Sequence, residues 1–180
     1  MRAKTLILFA LVSLVMGLAA PGRPAFAARS CAGAHVAQKA GKGFLAAARA
    51  GSPAAFSRAL GRYVNMRRIS FFALGRYRRK LPRRDYGRFV RLSRQYIARK
   101  LARYAGNFRG GSVEVTRCSR NTVETRLRPG GQRVLWRLSG RNIVDVNISN
   151  VWLGLVLRDH YSSLIRRAGG DMRRFMAALR

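Results

Sequence analysis

The chain is 180 residues long and contains only 2 cysteines, 2 histidines and 6 acidic residues. Two cysteines exclude a disulfide scaffold and a four-cysteine zinc site. So few histidines and carboxylates leave little material for acid–base or metal chemistry. There is no G-x-S-x-G elbow, no H-E-x-x-H pair, no phosphate-cradling glycine loop, and no repeat or low-complexity stretch. Lysine is scarce as well, since 32 of the 37 basic residues are arginine. The single long apolar run, residues 5–20, is 16 residues without a charge and falls short of the roughly 20 that span a bilayer.

Positive charge is what the chain has in excess, with a formal net charge of +31. Its 48% apolar content is nevertheless that of a globular protein, which argues against basic disorder. The N-terminus reads as an address. A short basic start precedes the apolar run, Pro21, Gly22 and Pro24 break it, and Ala25-Phe26-Ala27 is an A-x-A site. We therefore expect a signal peptide over residues 1–27, cleaved after Ala27, and one domain over residues 28–180. Export places Cys31 and Cys118 in an oxidising compartment, where they either form one bridge or stay as two buried thiols.

Helical signals come first along the domain. Residues 34–50 are alanine-rich, with Val36, Ala40, Phe44 and Ala47 at helical spacing, and Gly51 ends the segment. Ser52-Pro53 is an N-cap followed by proline at the first helical position. The helix after it carries Phe56, Leu60, Tyr63 and Val64. Ile69, Phe71, Phe72 and Leu74 make a shorter apolar segment, and Pro82 opens a helix over residues 83–104 with an aromatic-rich stripe. The period then changes to two. Val113-Glu114-Val115, residues 123–127, residues 134–138 and residues 144–148 alternate, with turns at Arg120-Asn121, Pro129-Gly130-Gly131 and Gly140-Arg141-Asn142. A helix over residues 152–167 and a last one capped by Asp171 follow. The expected fold is α+β, a curved antiparallel four-stranded meander flanked by helices at both ends of the chain.

Catalysis fits these residues poorly. Asp159 and His160 are neighbours on a helix and point apart, so they form no relay. His35 sits alone in an alanine-rich helix, and Glu114 and Glu124 alternate outward where arginines can pair with them. No catalytic residue, cofactor or metal is assigned. The segment from Arg62 to Arg109 holds 16 basic residues, one acid and five tyrosines, a composition that can grip single-stranded nucleic acid. Its aromatics, however, share an apolar face with Val90, Ile97 and Leu101, and export removes that partner. An exported cation instead meets anionic membrane surfaces, where each basic residue contributes about 1 kcal/mol.

Val144-Asp145-Val146-Asn147-Ile148-Ser149-Asn150-Val151-Trp152-Leu153, then Arg158-Asp159-His160-Tyr161 and Gly169-Gly170, resembles the signature of the MlaC/toluene-tolerance family. Tyr63-Val64-Asn65-Met66 and Ala73-Leu74-Gly75-Arg76-Tyr77 are similar to its central pattern, and the order of elements matches along nearly the whole domain. Ser149-Asn150 stands where the family usually has Glu-Gly. The step Leu81-Pro82 and Trp152 look like the hopanoid-associated branch, HpnM. The resemblance implies a periplasmic carrier of a phospholipid or hopanoid. Its implied partners are an inner-membrane ABC transporter complex and an outer-membrane lipoprotein or porin complex. On that basis cargo is expected against Phe72, Leu74, Tyr96, Ile97, Leu101, Trp136, Val146, Ile148, Trp152 and Leu155, each of which is otherwise ordinary core. Arg76, Arg78, Arg79, Arg83 and Arg84 are the expected docking surface for an anionic membrane or an acidic partner, and Arg158 is expected to pair with Asp145. The alternative is a secreted cationic membrane-surface protein without an internal pocket.

Overall fold

The computed structural model describes residues 31–108 and 111–180, so the assigned signal segment lies outside the described residues. Helix α1 (Ala32–Ala50) ends where Gly51 takes a left-handed φ of 63° and its N–H returns to the carbonyls of Ala47 and Ala48. That conformation suits glycine, which has no Cβ to clash. Ser52 then caps α2 (Pro53–Tyr63) by accepting from the Ala55 N–H at 3.2 Å. Asn65 does the same for α3 (Met66–Leu74), accepting from Arg68 N–H at 2.9 Å.

The long helix expected from residue 83 is divided. Arg83–Asp85 forms a 3-10 turn, and α4 (Tyr86–Arg103) begins after it. Pro82 fixes the entry, and the Asp85 N–H returns to the Pro82 carbonyl at 2.9 Å, closing residues 83–85 as a tighter turn.

The sheet has five antiparallel strands in sequential order: β1 (Ser112–Cys118), β2 (Thr122–Arg128), β3 (Arg133–Ser139), β4 (Asn142–Ile148) and β5 (Val151–Trp152). This corrects the four-strand expectation. The chain reverses after Ile148 through Ser149 and Asn150, both at positive φ, so Val151 and Trp152 pair back on Ile148 and Asn147. A two-residue strand carries no alternation to read, and α5 (Leu153–Arg167) therefore starts one residue later than expected. Asp171 caps α6 (Met172–Ala178), accepting from the N–H groups of Arg173 and Arg174.

One sheet face, bearing Val123, Thr125, Val134, Trp136 and Leu138, is buried, whereas Arg126, Arg128, Arg133 and Arg137 stand on the other and are exposed. Strand β4 does not keep this alternation, and residues 143–147 are all buried. The register slips between Arg137 and Leu138, which pair with Asp145 and Ile143, leaving Val144 as an extra residue. Both Ile143 and Val146 thereby reach the inner face, while the start of α5 and Phe72 of α3 pack at Asp145 on the outer one.

Away from the sheet, the helices close around aromatic rings. Phe89 lies 6.1 Å from both Tyr161 and Phe175, and Phe71 stands edge-on to Tyr86 at 4.7 Å. Cys31, ahead of α1, is joined by a disulfide to Cys118 at the end of β1, with the Cα atoms 6.3 Å apart.

Candidate functional site

Between α1, α2 and the inner face of the sheet lies a cavity of about 650 Å³. Helix α1 contributes Gly41, Phe44, Leu45 and Ala48, and α2 contributes Phe56 and Leu60. Strands β2 to β4 supply Leu127, Val134, Trp136, Val146 and Ile148. Val64 follows α2, Leu101 and Tyr104 end α4, and Val151, Leu153 and Val156 come from β5 and the first turn of α5. No charged side chain lines it. Gly41 lets β1 approach, since a Cβ there would meet the Val113 methyls at 2.9 Å, and the small side chain of Ala48, one turn beyond Phe44, leaves room that Phe44 and Leu45 border.

Trp136 shows how polar groups are kept out of this space. Its indole N–H donates to Thr125 Oγ at 2.8 Å, within the sheet, and Phe44 stacks on its ring at 6.2 Å. The cavity opens to solvent where Tyr104, Ile148, Val151 and Val156 line it while remaining 63%, 37%, 52% and 47% exposed. With nothing inside to donate or accept, the space suits hydrocarbon, and any polar portion of a ligand would stay at the mouth.

Of the cargo residues expected from sequence, Leu101, Trp136, Val146 and Ile148 line the cavity together. The other six lie elsewhere. Leu74 and Ile97 are buried between helices, and Tyr96 stacks on His160 at 5.4 Å with its hydroxyl hydrogen-bonded to His160 Nε2. Burial, together with the charges of Lys100 and Arg167, holds the His160 imidazole below its ordinary pKa. Trp152 pairs with Asn147, whose side chain faces outward, so its ring lies outside the sheet with the Arg137 guanidinium 4.0 Å above it. Leu155 is exposed on the first turn of α5, next in sequence to the cavity-lining Val156.

Phe72 is on the surface of α3, with Arg158 4.0 Å over its ring. Arg158 also donates to the Phe72 carbonyl at 3.3 and 3.1 Å, which corrects the expected pairing with Asp145. The reason is local: the Phe72 carbonyl, which also accepts from the Gly75 N–H, lies at the C-terminal end of α3, and a cation favours that negative end.

Asp145 instead anchors the start of α5. Its Oδ1 accepts from the N–H groups of Val146 at 2.9 Å and Gly154 at 3.0 Å, and Oδ2 is 3.9 Å from Arg137. Gly154 is needed for that approach, because a Cβ there would meet the Phe72 ring at 3.0 Å and Asp145 Oδ2 at 3.1 Å. Asp145→Ala leaves two buried N–H groups without this acceptor and should cost about 2–4 kcal/mol in urea unfolding. Asp145→Asn, which keeps an acceptor oxygen, should cost clearly less. Equal losses for the two variants would show that the carboxylate does not position the helix through these bonds.

The cavity residues that sequence reasoning missed were nearly all visible as apolar faces. Phe44, Phe56, Leu60 and Val64 sit at helical spacing, and Leu127 and Val134 alternate inward. Nothing in a sequence distinguishes a face that packs from one that borders empty space. Val151, Leu153 and Val156 gave no signal, because the β4–β5 reversal that brings them to the mouth depends on two positive-φ residues.

The expected docking residues are exposed and consecutive in space. Arg76, Arg78 and Arg79 lie in a 3-10 turn over Gly75–Lys80, followed by Arg83 and Arg84. A hydrogen bond from Arg76, reinforced by the charges of Arg166 and Lys80, holds the Tyr77 hydroxyl below its ordinary pKa. Arg166, in the last turn of α5, thus belongs to the same positive field. Among the described residues no group of three or more His, Cys, Asp or Glu could hold a metal ion, and no helix is long and apolar enough to cross a membrane.

The sequence profile of one family, described as MlaC protein, matches residues 36–180. Among solved structures the fold is similar to that of the phospholipid-binding protein from Ralstonia solanacearum in complex with a phospholipid. The TM-score is 0.65 at 17% identity, over 81% of this chain and 93% of that one. At that identity the likeness is one of fold. No curated protein sequence matches the chain.

Proposed function

This chain belongs to the MlaC family, and from that premise we propose that it is a periplasmic lipid carrier. It takes the acyl or polycyclic part of a phospholipid or hopanoid into its cavity and shuttles it between the outer membrane and an inner-membrane ABC transporter. The observation that carries this reading is an apolar cavity of about 650 Å³, open at a mouth and without a charged side chain in its wall. The phospholipid bound by the structural relative from Ralstonia solanacearum supports the same class of ligand.

The physical need is simple. If a methylene takes up about the 30 Å³ share of a water molecule, the cavity holds about 20 of them. Keeping those from water is worth about 16 kcal/mol at 0.8 kcal/mol each. A lipid crossing an aqueous gap unaided would meet that cost as a barrier. Inside the cavity it is in surroundings as apolar as the bilayer it left, so it can leave at either end, and no covalent step is required. Leu101, Trp136, Val146 and Ile148 form the sheet and helix walls against which the cargo would lie.

The test is native mass spectrometry with solvent extraction of protein purified from the periplasm without detergent. A discrete added mass, identified as phospholipid or hopanoid, is the expected result and names the cargo. A clean apo mass with no uptake from liposomes would sink the carrier reading and favour a surface-binding protein.

Arg76, Arg78, Arg79, Arg83 and Arg84 are proposed to dock an acidic partner, the transporter complex or the outer-membrane complex. Such binding should weaken steeply with salt, because exposed charges are screened over about 8–10 Å. Replacing Arg76, Arg78 and Arg79 together by alanine removes three charges and should weaken docking at low salt by about 100-fold, at about 1 kcal/mol per charge. Docking indifferent to salt would remove these residues from the interface.

A further inference from the structure

The later part of the basic cluster, from Lys80 to Arg84, lies at the ends of α4 and α5 away from the cavity mouth. Helix α4 runs from the Arg83–Asp85 turn to Tyr104 at the mouth, and α5 runs from Leu153 at the mouth to Arg166 beside the cluster. The two helices are 18 and 15 residues long, about 22–27 Å, so Arg83 and Arg84 at the start of α4 lie about that far from the mouth, whereas Gly75 at the head of the cluster lies beside Arg158 in the second turn of α5. A partner held at Arg83 and Arg84 therefore faces away from the opening. Cargo has to pass through a different surface.

That surface is apolar. Among the described residues six large apolar side chains are exposed; four of them, Tyr104, Ile148, Val151 and Val156, line the mouth, and Leu155 directly precedes Val156 on the first turn of α5. The sixth, Phe72, is covered by Arg158. Val151 leads β5 out of the tight reversal at Ser149 and Asn150, so it projects from the sheet edge. Gln132 and Arg133 hold that reversal in place, donating to Ser149 Oγ at 2.9 Å and Asn150 Oδ1 at 3.0 Å. An exposed apolar patch of this kind, continuous with the wall of a cavity, marks an interaction surface.

The charge around it is positive. Arg103 precedes Tyr104, and Arg133, which bonds to Asn150 in the reversal, flanks that end of the sheet from its outer face together with its cross-strand partner Arg126. Of the carboxylates nearby, Glu114 is bonded to Arg128, Glu124 lies 3.9 Å from Arg133, and Asp145 is buried. Asp159, one turn beyond Leu155 on α5, stays exposed. Apolar side chains flanked by arginines match the two layers of an anionic bilayer surface, hydrocarbon below and phosphate above.

We propose that the rim formed by Tyr104, Ile148, Val151, Leu155 and Val156 is a membrane-contact face that seats the cavity mouth on an anionic lipid bilayer. The proposal rests on the carrier reading for its purpose, since a mouth sealed against the bilayer lets a chain slide between two apolar environments without crossing water.

The experiment is flotation of the purified protein with phosphatidylcholine vesicles, with and without phosphatidylglycerol. The wild-type protein is compared with Leu155→Asp, Val151→Asp and the triple variant Arg76→Glu/Arg78→Glu/Arg79→Glu. The wild-type protein should float with phosphatidylglycerol vesicles, and each rim variant should bind about tenfold more weakly or worse. The triple variant should keep most of its binding. Both rim positions are exposed, so the fold should persist, and circular dichroism checks this. The proposal is overturned if both rim variants float like the wild type, if only the triple variant loses binding, or if the wild type ignores bare vesicles and exchanges lipid only through a protein partner. Lipid content is measured separately. A wild-type protein that holds no lipid but needs Leu155 and Val151 to float would keep the membrane face and remove the carrier reading.

Discussion

Ala48→Phe together with Val146→Phe is expected to abolish lipid retention while leaving the protein folded and at least as stable. Both residues border the cavity from opposite walls, Ala48 from α1 and Val146 from β4. The two rings add about ten carbons to space that is otherwise available to cargo, and the apolar area they withdraw is worth about 8 kcal/mol of lipid binding. Even a fraction of that changes affinity by several powers of ten, since about 1.4 kcal/mol is tenfold. Adding carbons to a packed core usually strains it, by about 1–3 kcal/mol. Here the rings enter an open space and gain contacts instead, so the thermal midpoint should hold or rise. Lipid extracted per protein, beside a melting curve, reads both effects. Undiminished lipid in a correctly folded variant would mean that cargo is held elsewhere.

Loss of the Cys31–Cys118 bridge should be the largest single change in stability. The two residues are 87 positions apart in sequence, and a loop of that length is closed at a cost of about 4–5 kcal/mol of chain entropy in the unfolded state. For a domain of this size that corresponds to a fall of about 10–15 °C in midpoint. The double variant Cys31→Ser/Cys118→Ser, or the wild-type protein under reductant, should show it in urea unfolding. The bridge also fixes α1 against the sheet, and α1 carries Phe44, Leu45 and Ala48 of the cavity wall. Lipid retention should therefore fall along with stability. A loss below about 1 kcal/mol would show that packing alone holds α1 in place.

Sequence by itself determined the class and order of this fold. Hydrophobic period, the caps Ser52 and Asp171, the stop at Gly51 and the turns around Asn121, Gly130 and Gly140 are local, and local energies decide them. It also determined that charge here is positive and that the material for catalysis is thin. The family resemblance was legible for the same reason, because it rests on residues adjacent in the chain.

Tertiary structure alone decided the cavity. Leu101, Trp136, Val146 and Ile148 could be picked out as inward-facing, but Leu74 and Ile97 carry the same pattern and pack solidly between helices. An apolar side chain has the same sequence signature whether its neighbour is another side chain or empty space. The mouth depended still more on long-range placement. Two positive-φ residues turn the chain into β5, a slip in register brings Val146 inward and Asp145 outward, and Asp145 then fixes where α5 begins. Each of these is settled by contacts between residues distant in sequence, and together they set where the cavity opens.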